Sequence, residues 1–389
     1  MRHDNRRLRL INSRAAGFAC GCRKAVLCLC SASALLVASP ASPAQAATTM
    51  EVTNFGSNPG KLKMFKHIPD QMPASAALVV VMHGCKQNAR TFTDESGWTL
   101  LSDKLHVALV MPQQQQANNQ NNCFNWFDPA NNVRDKGEAL SIRQMVDKMK
   151  TDHSIDPNRV FVTGLSAGGA MTSVMLAVYP EVFSGGAIIA GLPYGCANNV
   201  VDALQCMQTG HPSGGPVISF ARGGPPSLRA LSKSAGGIPL PPSICLFFPL
   251  LCPPSPGGGS GFTPTQWGDF VRHASNHTEP FPRVSIWHGS ADTTVNPVNA
   301  TSEMQQWTNV HGIDPATAVQ DTVKGFPHQV FKNTSGKSMV ETFSITGMSH
   351  GDPVYPGPGQ DQCGTADQFI LNVHICSSLF VARFWELTE

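Results

Sequence analysis

The chain has 389 residues, of which 28 are Lys or Arg and 26 are Asp or Glu, a formal net charge of +2 with His neutral. No basic patch marks a nucleic-acid surface, and no apolar run beyond the N-terminal region is long enough to span a membrane. The length allows two domains, but no Ser/Thr/Pro-rich linker divides the chain and no internal repeat is visible, so it reads as one large domain carrying an insertion.

Residues 1–46 read as a secretory signal peptide. Arg2, Arg6, Arg7, Arg9, Arg14, Arg23 and Lys24 form a basic leader, Ala25 to Ala38 is apolar, and Ala44-Gln45-Ala46 offers a small-x-small cleavage site. The apolar stretch is too short for a membrane anchor, and Pro40 and Pro43 follow it. The residues around Arg6-Arg7 fit twin-arginine export poorly, which favours the general secretory route. Cleavage after Ala46 would leave 21 basic against 25 acidic residues, so the mature chain, residues 47–389, is mildly acidic.

Eight cysteines would remain: Cys85, Cys123, Cys196, Cys206, Cys245, Cys252, Cys363 and Cys376. An even number in an exported chain argues for disulfides, although sequence leaves many connectivities open. Three pairs are close in sequence, Cys196 with Cys206, Cys245 with Cys252 and Cys363 with Cys376, and they would leave Cys85 with Cys123. No Cys-x-x-Cys occurs after the leader, which argues against zinc.

In chain order, Leu78–Met82 is a continuous apolar run, the pattern of a strand buried on both faces, and it ends in His83-Gly84-Cys85. A helix is predicted from Trp98 to Leu105 and a strand from Val107 to Met111. A Gln- and Asn-rich loop, Gln113 to Asn122, leads into Cys123-Phe124-Asn125-Trp126-Phe127. Lys136 to Lys150 reads as an amphipathic helix. Further strands are predicted at 159–163, 187–190, 284–287 and 342–345, with a last helix from about Asn372 to Trp385. Alternating strands and helices give an α/β, doubly wound, mostly parallel sheet. The stretch from about 208 to 265 differs: it is rich in Gly and Pro and encloses an apolar run with Phe247-Phe248. A stretch of that length is expected to be a flap over a site, an adsorption surface or a plain surface excursion.

Gly164-Leu165-Ser166-Ala167-Gly168 has the form Gly-x-Ser-x-Gly between the strand at 159–163 and a helical run that stops near Pro180. That context exposes a serine hydroxyl above the sheet, with a helix N-terminus beneath any negative charge that develops beside it. A serine hydroxyl is a poor nucleophile at neutral pH. It needs a histidine to take its proton and a carboxylate to orient the histidine. In chain order Asp292, in His288-Gly-Ser-Ala-Asp292, is the expected acid, and His350, in Gly347-Met-Ser-His350-Gly, the expected base. Asp352 stands too close in sequence to His350 to face its ring. His288 is read as ordering the acid loop, His83 as bracing the oxyanion loop, and His374 as part of the last helix. The oxyanion is expected to meet the backbone N–H groups of Ala167 and Cys85. A Cys85–Cys123 bond would bring Trp126 beside the site. Trp126 and Trp287 are the candidates for lining the acyl pocket.

These motifs, with Gly191-Leu-Pro-Tyr-Gly-Cys196-Ala197, together resemble those of the extracellular poly(3-hydroxybutyrate) depolymerases and their feruloyl-esterase-like relatives. The resemblance runs from about Leu78 to the C-terminus. It implies a secreted α/β-hydrolase that cleaves carboxylic esters with Ser166, His350 and Asp292, without metal or cofactor, and its oxyanion cysteine maps onto Cys85. It also implies a polyester or oligoester substrate; a feruloyl or acetylxylan esterase is the second reading. The protein is expected to be a monomer with no nucleic-acid or membrane partner. Many such depolymerases carry a linker and a separate polymer-binding domain after the catalytic one. Here the sequence runs to Glu389, and the Phe247-Phe248 run is the expected substitute for adsorption.

Overall fold

The computed structural model describes residues 48–212 and 261–388. The expected signal peptide, the Cys245–Cys252 pair and the Phe247-Phe248 run lie outside the described residues. A ten-stranded sheet is built from β1 (Thr48–Val52), β2 (Lys63–Ile68), β3 (Ala76–Met82), β4 (Ala108–Gln113), β5 (Ile155–Leu165), β6 (Gly185–Ile189), β7 (Arg283–Gly289), β8 (Val319–Val323), β9 (Phe326–Lys332) and β10 (Ser338–Ile345). Their spatial order is β1-β2-β4-β3-β5-β6-β7-β10-β9-β8. The six strands from β4 to β10 in that order run parallel, and antiparallel strands close both ends. A small parallel pair, β11 (Asp352–Val354) with β12 (Ile370–Asn372), stands apart.

Successive residues of a strand face opposite sides, so each parallel strand feeds two cores. Leu78, Val80 and Met82 of β3 pack on one side with α3 (Gly137–Asp152), α4 (Ala167–Val178), α6 (Pro264–Arg272) and α7 (Val298–Val310). Val79 and Val81 pack on the other with α1 (Ala89–Glu95), α2 (Trp98–Leu105) and α8 (Ser377–Phe384). This two-sided burial is why β3 and β4 read as apolar runs.

The structure adjusts several sequence expectations. The last helix begins at Ser377, not Asn372: Asn372 ends β12, and His374 sits outside the helix with a φ of +64°. Both ends of the expected 208–265 stretch fall in helices. Gln208 and Thr209 complete α5 (Val200–Thr209), which ends on Gly210 at φ +73°, where a residue without Cβ costs least. Thr263 and Gln266 form a capping box that starts α6. Three of the disulfides suggested by sequence are formed, Cys85–Cys123, Cys196–Cys206 and Cys363–Cys376. Among the described residues no helix is long and apolar enough to cross a membrane.

Candidate active site

Three loops meet at the carboxyl end of the parallel strands. Ser166 follows β5 and precedes α4 with φ +57° and ψ −117°, a conformation that costs a non-glycine residue about 1–3 kcal/mol. The close approach of strand and helix forces the two flanking glycines. A Cβ on Gly164 would stand 2.5 Å from the Gly168 carbonyl carbon, and one on Gly168 would collide with the Met82 carbonyl oxygen. The turn is held by backbone bonds alone: the Ser166 N–H donates to the Ile189 carbonyl at 2.9 Å, and the Ser166 carbonyl accepts from the Ala170 N–H at 2.8 Å. The hydroxyl is left out of the framework.

The acid and histidine loops leave adjacent parallel strands, β7 and β10, and are stitched together. The N–H groups of Ser290 and Ala291 donate to the carbonyls of Ile345 and Met348, both at 3.0 Å. Gly289 is required there, because a Cβ would run into the Met348 carbonyl oxygen. His350 Nδ1 donates to Asp292 Oδ2 at 2.7 Å, which fixes the tautomer and leaves Nε2 as the basic nitrogen. Asp292 Oδ1 accepts the N–H groups of Thr294 and Val295 at 2.8 and 2.9 Å. His288 Nε2 donates to the Val295 carbonyl at 2.8 Å and lies 3.4 Å from Asp292 Oδ2, so it ties the carboxylate to its own loop. Burial pushes the Asp292 carboxyl up. The hydrogen bonds from His288, His350 and the Val295 N–H outweigh burial and hold it well below the usual carboxylate range.

The third wall is the loop after β3. His83 is fully buried, and its Nε2 accepts from the Gln114 N–H at 3.2 Å, so its proton sits on Nδ1 and is donated to the Gly84 carbonyl at 2.8 Å. Burial lowers its pKa to about 4, which keeps the ring neutral. The Gly84 N–H donates to Gln87 Oε1 and the Lys86 N–H to the Asn121 carbonyl. Among the described residues the N–H of Cys85, between them, makes no hydrogen bond. Ala167 opens α4, so its N–H has no intrahelical partner either. Behind this wall, Glu138 accepts from Gln114 Nε2 at 2.6 Å and from the N–H and Nδ2 of Asn125 at 2.8 and 2.7 Å. That buried carboxyl anchors the loop that carries Cys123, the disulfide partner of Cys85.

The three walls enclose a cavity of about 370 Å³ that is lined by Ser166, His350 and Cys85 together with Met207, Thr294 and Phe369, among others. Ser166, His350 and Cys85, whose N–H is unengaged, therefore share one cavity, and Ala167 follows Ser166 directly at the start of α4. This set can carry out nucleophilic acyl transfer.

The two tryptophans proposed for the pocket do not line it. Trp287 is fully buried in the core beneath β7, stacked on Phe343 at 3.7 Å, with its indole N–H donated to Ser285 Oγ at 2.8 Å. Trp126 packs in the other core against the edge of Phe127. Strand alternation explains Trp287: it faces the helices, while the site stands at the strand ends. Sequence reasoning missed Met207, Thr294 and Phe369. Thr294 was within reach, two residues beyond Asp292, but Met207 and Phe369 arrive from distant segments and carry no local signal.

Asp352, next but one to His350, is buried in β11 and receives the Ser377 hydroxyl at 2.5 Å; burial raises its pKa to about 7. The fold therefore favours the protonated form, and ionising it costs stability as pH rises from about 4, the unfolded value, to about 7. Asp352→Asn should flatten the pH dependence of thermal unfolding in that window. An unchanged slope would show that Asp352 ionises freely in the fold.

A family model described as esterase PHB depolymerase matches residues 68–221. Poly(3-hydroxyalkanoate) depolymerase C of Paucimonas lemoignei is 47% identical over 336 residues, 86% of this chain and 69% of that protein. The chain belongs to the esterase PHB depolymerase family. Other relatives of the family act on other esters by name. An acetylxylan esterase of Coprinopsis cinerea is 29% identical over 81% of this chain and 72% of its own length. Feruloyl esterase B of Talaromyces stipitatus is 27% identical over 78% of this chain and 72% of its own. The solved structure of an acetyl xylan esterase from Aspergillus awamori superposes with a TM-score of 0.61 at 20% identity, covering 88% of this chain and all of that one, which is a likeness of fold. The fold is that of the α/β-hydrolases, and the protein is a carboxylic ester hydrolase.

Proposed function

We propose that this protein is a secreted serine esterase that hydrolyses poly(3-hydroxybutyrate) or its oligomers to hydroxy acids. The observation that carries the reading is the 47% identity to a poly(3-hydroxyalkanoate) depolymerase over 86% of this chain. In this reading the Ser166 oxygen attacks the ester carbonyl carbon while His350 Nε2 takes its proton. The oxyanion accepts from the N–H groups of Cys85 and Ala167, at the positive end of the α4 dipole. Collapse breaks the bond to the leaving oxygen, which takes the proton from His350 and departs as the alcohol end of the shortened chain. Water then attacks the acyl-enzyme, gives its proton to His350, and frees the acid and Ser166. Asp292 keeps Nδ1 protonated and balances the imidazolium at both steps.

Export is part of the same proposal: residues 1–46 direct the chain out of the reducing cytoplasm into an oxidising compartment in which its disulfides form. The mature enzyme works as a monomer on the polyester. Incubating it with a hydroxybutyrate film and, separately, with methyl ferulate should release hydroxy acid from the film and little ferulate. Release of ferulate with an intact film would transfer the protein to the plant cell-wall esterases among its relatives.

A further inference from the structure

Helix α5 exposes the side that sequence patterning would bury. Val200, Val201 and Leu204 are 56%, 59% and 58% exposed, whereas Ala203 and Cys206 face inward. The large exposed apolar side chains among the described residues are otherwise scattered, and Val298, 39% exposed, packs beside Gly210 at the end of this same helix. Val200, Leu204 and Gln208 stand one turn apart along a line, with Val201 beside it. An apolar cluster on a soluble surface marks a contact.

The helix is held rigidly. The Cys196–Cys206 disulfide fastens its inner face, and Asn299 Nδ2 donates to the carbonyls of Cys206 and Met207 at 3.1 and 3.2 Å. Its last turn is tied to the acid loop: the Asn296 N–H donates to the Met207 carbonyl at 2.7 Å, and Gln208 Nε2 to the Thr294 carbonyl at 3.2 Å. Met207 and Thr294 both line the catalytic cavity. The helix that carries the apolar stripe thus ends at the cavity that holds Ser166.

Resting on the proposed polyester substrate, we propose that the exposed face of α5 is the adsorption surface for the solid polymer, holding an uncharged chain of methyl and ester groups at the mouth of the site. The chemistry fits. The helix carries no Lys or Arg and a single acidic residue, Asp202, and its remaining polar side chains are neutral Gln and Thr. An anionic membrane or nucleic acid would call for cations there.

The test compares the parent with V200Q/V201Q/L204Q, exposed positions where Gln keeps helix propensity. Adsorption to a poly(3-hydroxybutyrate) film is measured in a Ser166→Ala background, so that nothing is consumed. Binding should weaken at least about tenfold, while kcat/KM of the otherwise native enzyme on soluble p-nitrophenyl butyrate stays within about twofold. A single Leu204→Lys should weaken adsorption in the same direction. Unchanged adsorption, a parallel fall on the soluble ester, or a parent dimer that the triple variant dissociates would each overturn the inference. A parent that adsorbs through α5 yet releases no product from the film would overturn the proposed substrate and leave the surface standing.

Discussion

Replacing Ser166 by Ala is expected to lower kcat on a soluble short-chain ester by about 10⁴- to 10⁶-fold while leaving unfolding stability within about 0.5 kcal/mol of the parent. Activity falls because the variant lacks the hydroxyl that the proposed mechanism uses as nucleophile; what remains comes from binding and the oxyanion donors. Stability holds because the serine supports its turn with backbone groups only, the N–H to Ile189 and the carbonyl to Ala170. Alanine keeps Cβ and meets the same dihedrals, so the strain at φ +57° is unchanged. Titration with a serine-directed phosphonate should label the parent and not the variant. Labelling that survives the substitution would place the nucleophile elsewhere.

Asp292→Asn is expected to act on both activity and stability, which separates it from the first variant. The rate should fall about 10⁴-fold, because an amide can offer its N–H to His350 and so favour the tautomer that cannot take the serine proton. Stability should fall by about 1–3 kcal/mol. The carboxylate accepts from two backbone N–H groups and from His350, with His288 3.4 Å away, and an amide has one oxygen with which to replace them. The sign of the pH dependence follows. The folded pKa of Asp292 lies below its unfolded value, so this carboxylate stabilises the fold fully above about pH 4 and loses that contribution as pH falls further. In denaturant unfolding the gap between parent and Asp292→Asn should therefore narrow below pH 4. A gap that is constant with pH would mean the loss is steric.

The cavity also explains why substrate reading lagged behind chemistry. Ser166, Asp292 and His350 each follow a parallel strand, so chain order and local pattern single them out as the candidate set. The residues that would select one ester over another come from places with no common pattern: Met207 at the end of α5, Phe369 just before β12, Thr294 in the acid loop. Tryptophan was a poor guide. Trp287 has the size and the neighbourhood in sequence, yet its β7 position points it at Phe343 and the core.

By itself the sequence made the parallel strands legible, most plainly β3, where burial on both faces writes itself as an unbroken apolar run. It also determined the nucleophile turn, because only glycine fits where β5, α4 and the end of β3 crowd together. The antiparallel strands at the sheet ends were not legible. β8, for instance, is Val-Gln-Asp-Thr-Val with an exposed surface, and its place depends on pairing with β9. Helix α7 was equally hidden, since it buries Asn299, Glu303 and Gln306 along with Trp307 and so lacks an apolar stripe. Tertiary structure alone decided that Asp292 and His350 meet, because their loops leave neighbouring strands. It alone also decided that the apolar side of α5 faces outward: the Cys196–Cys206 bond and the Asn299 contacts fix which side of the helix is turned to the protein, and no local pattern encodes that choice.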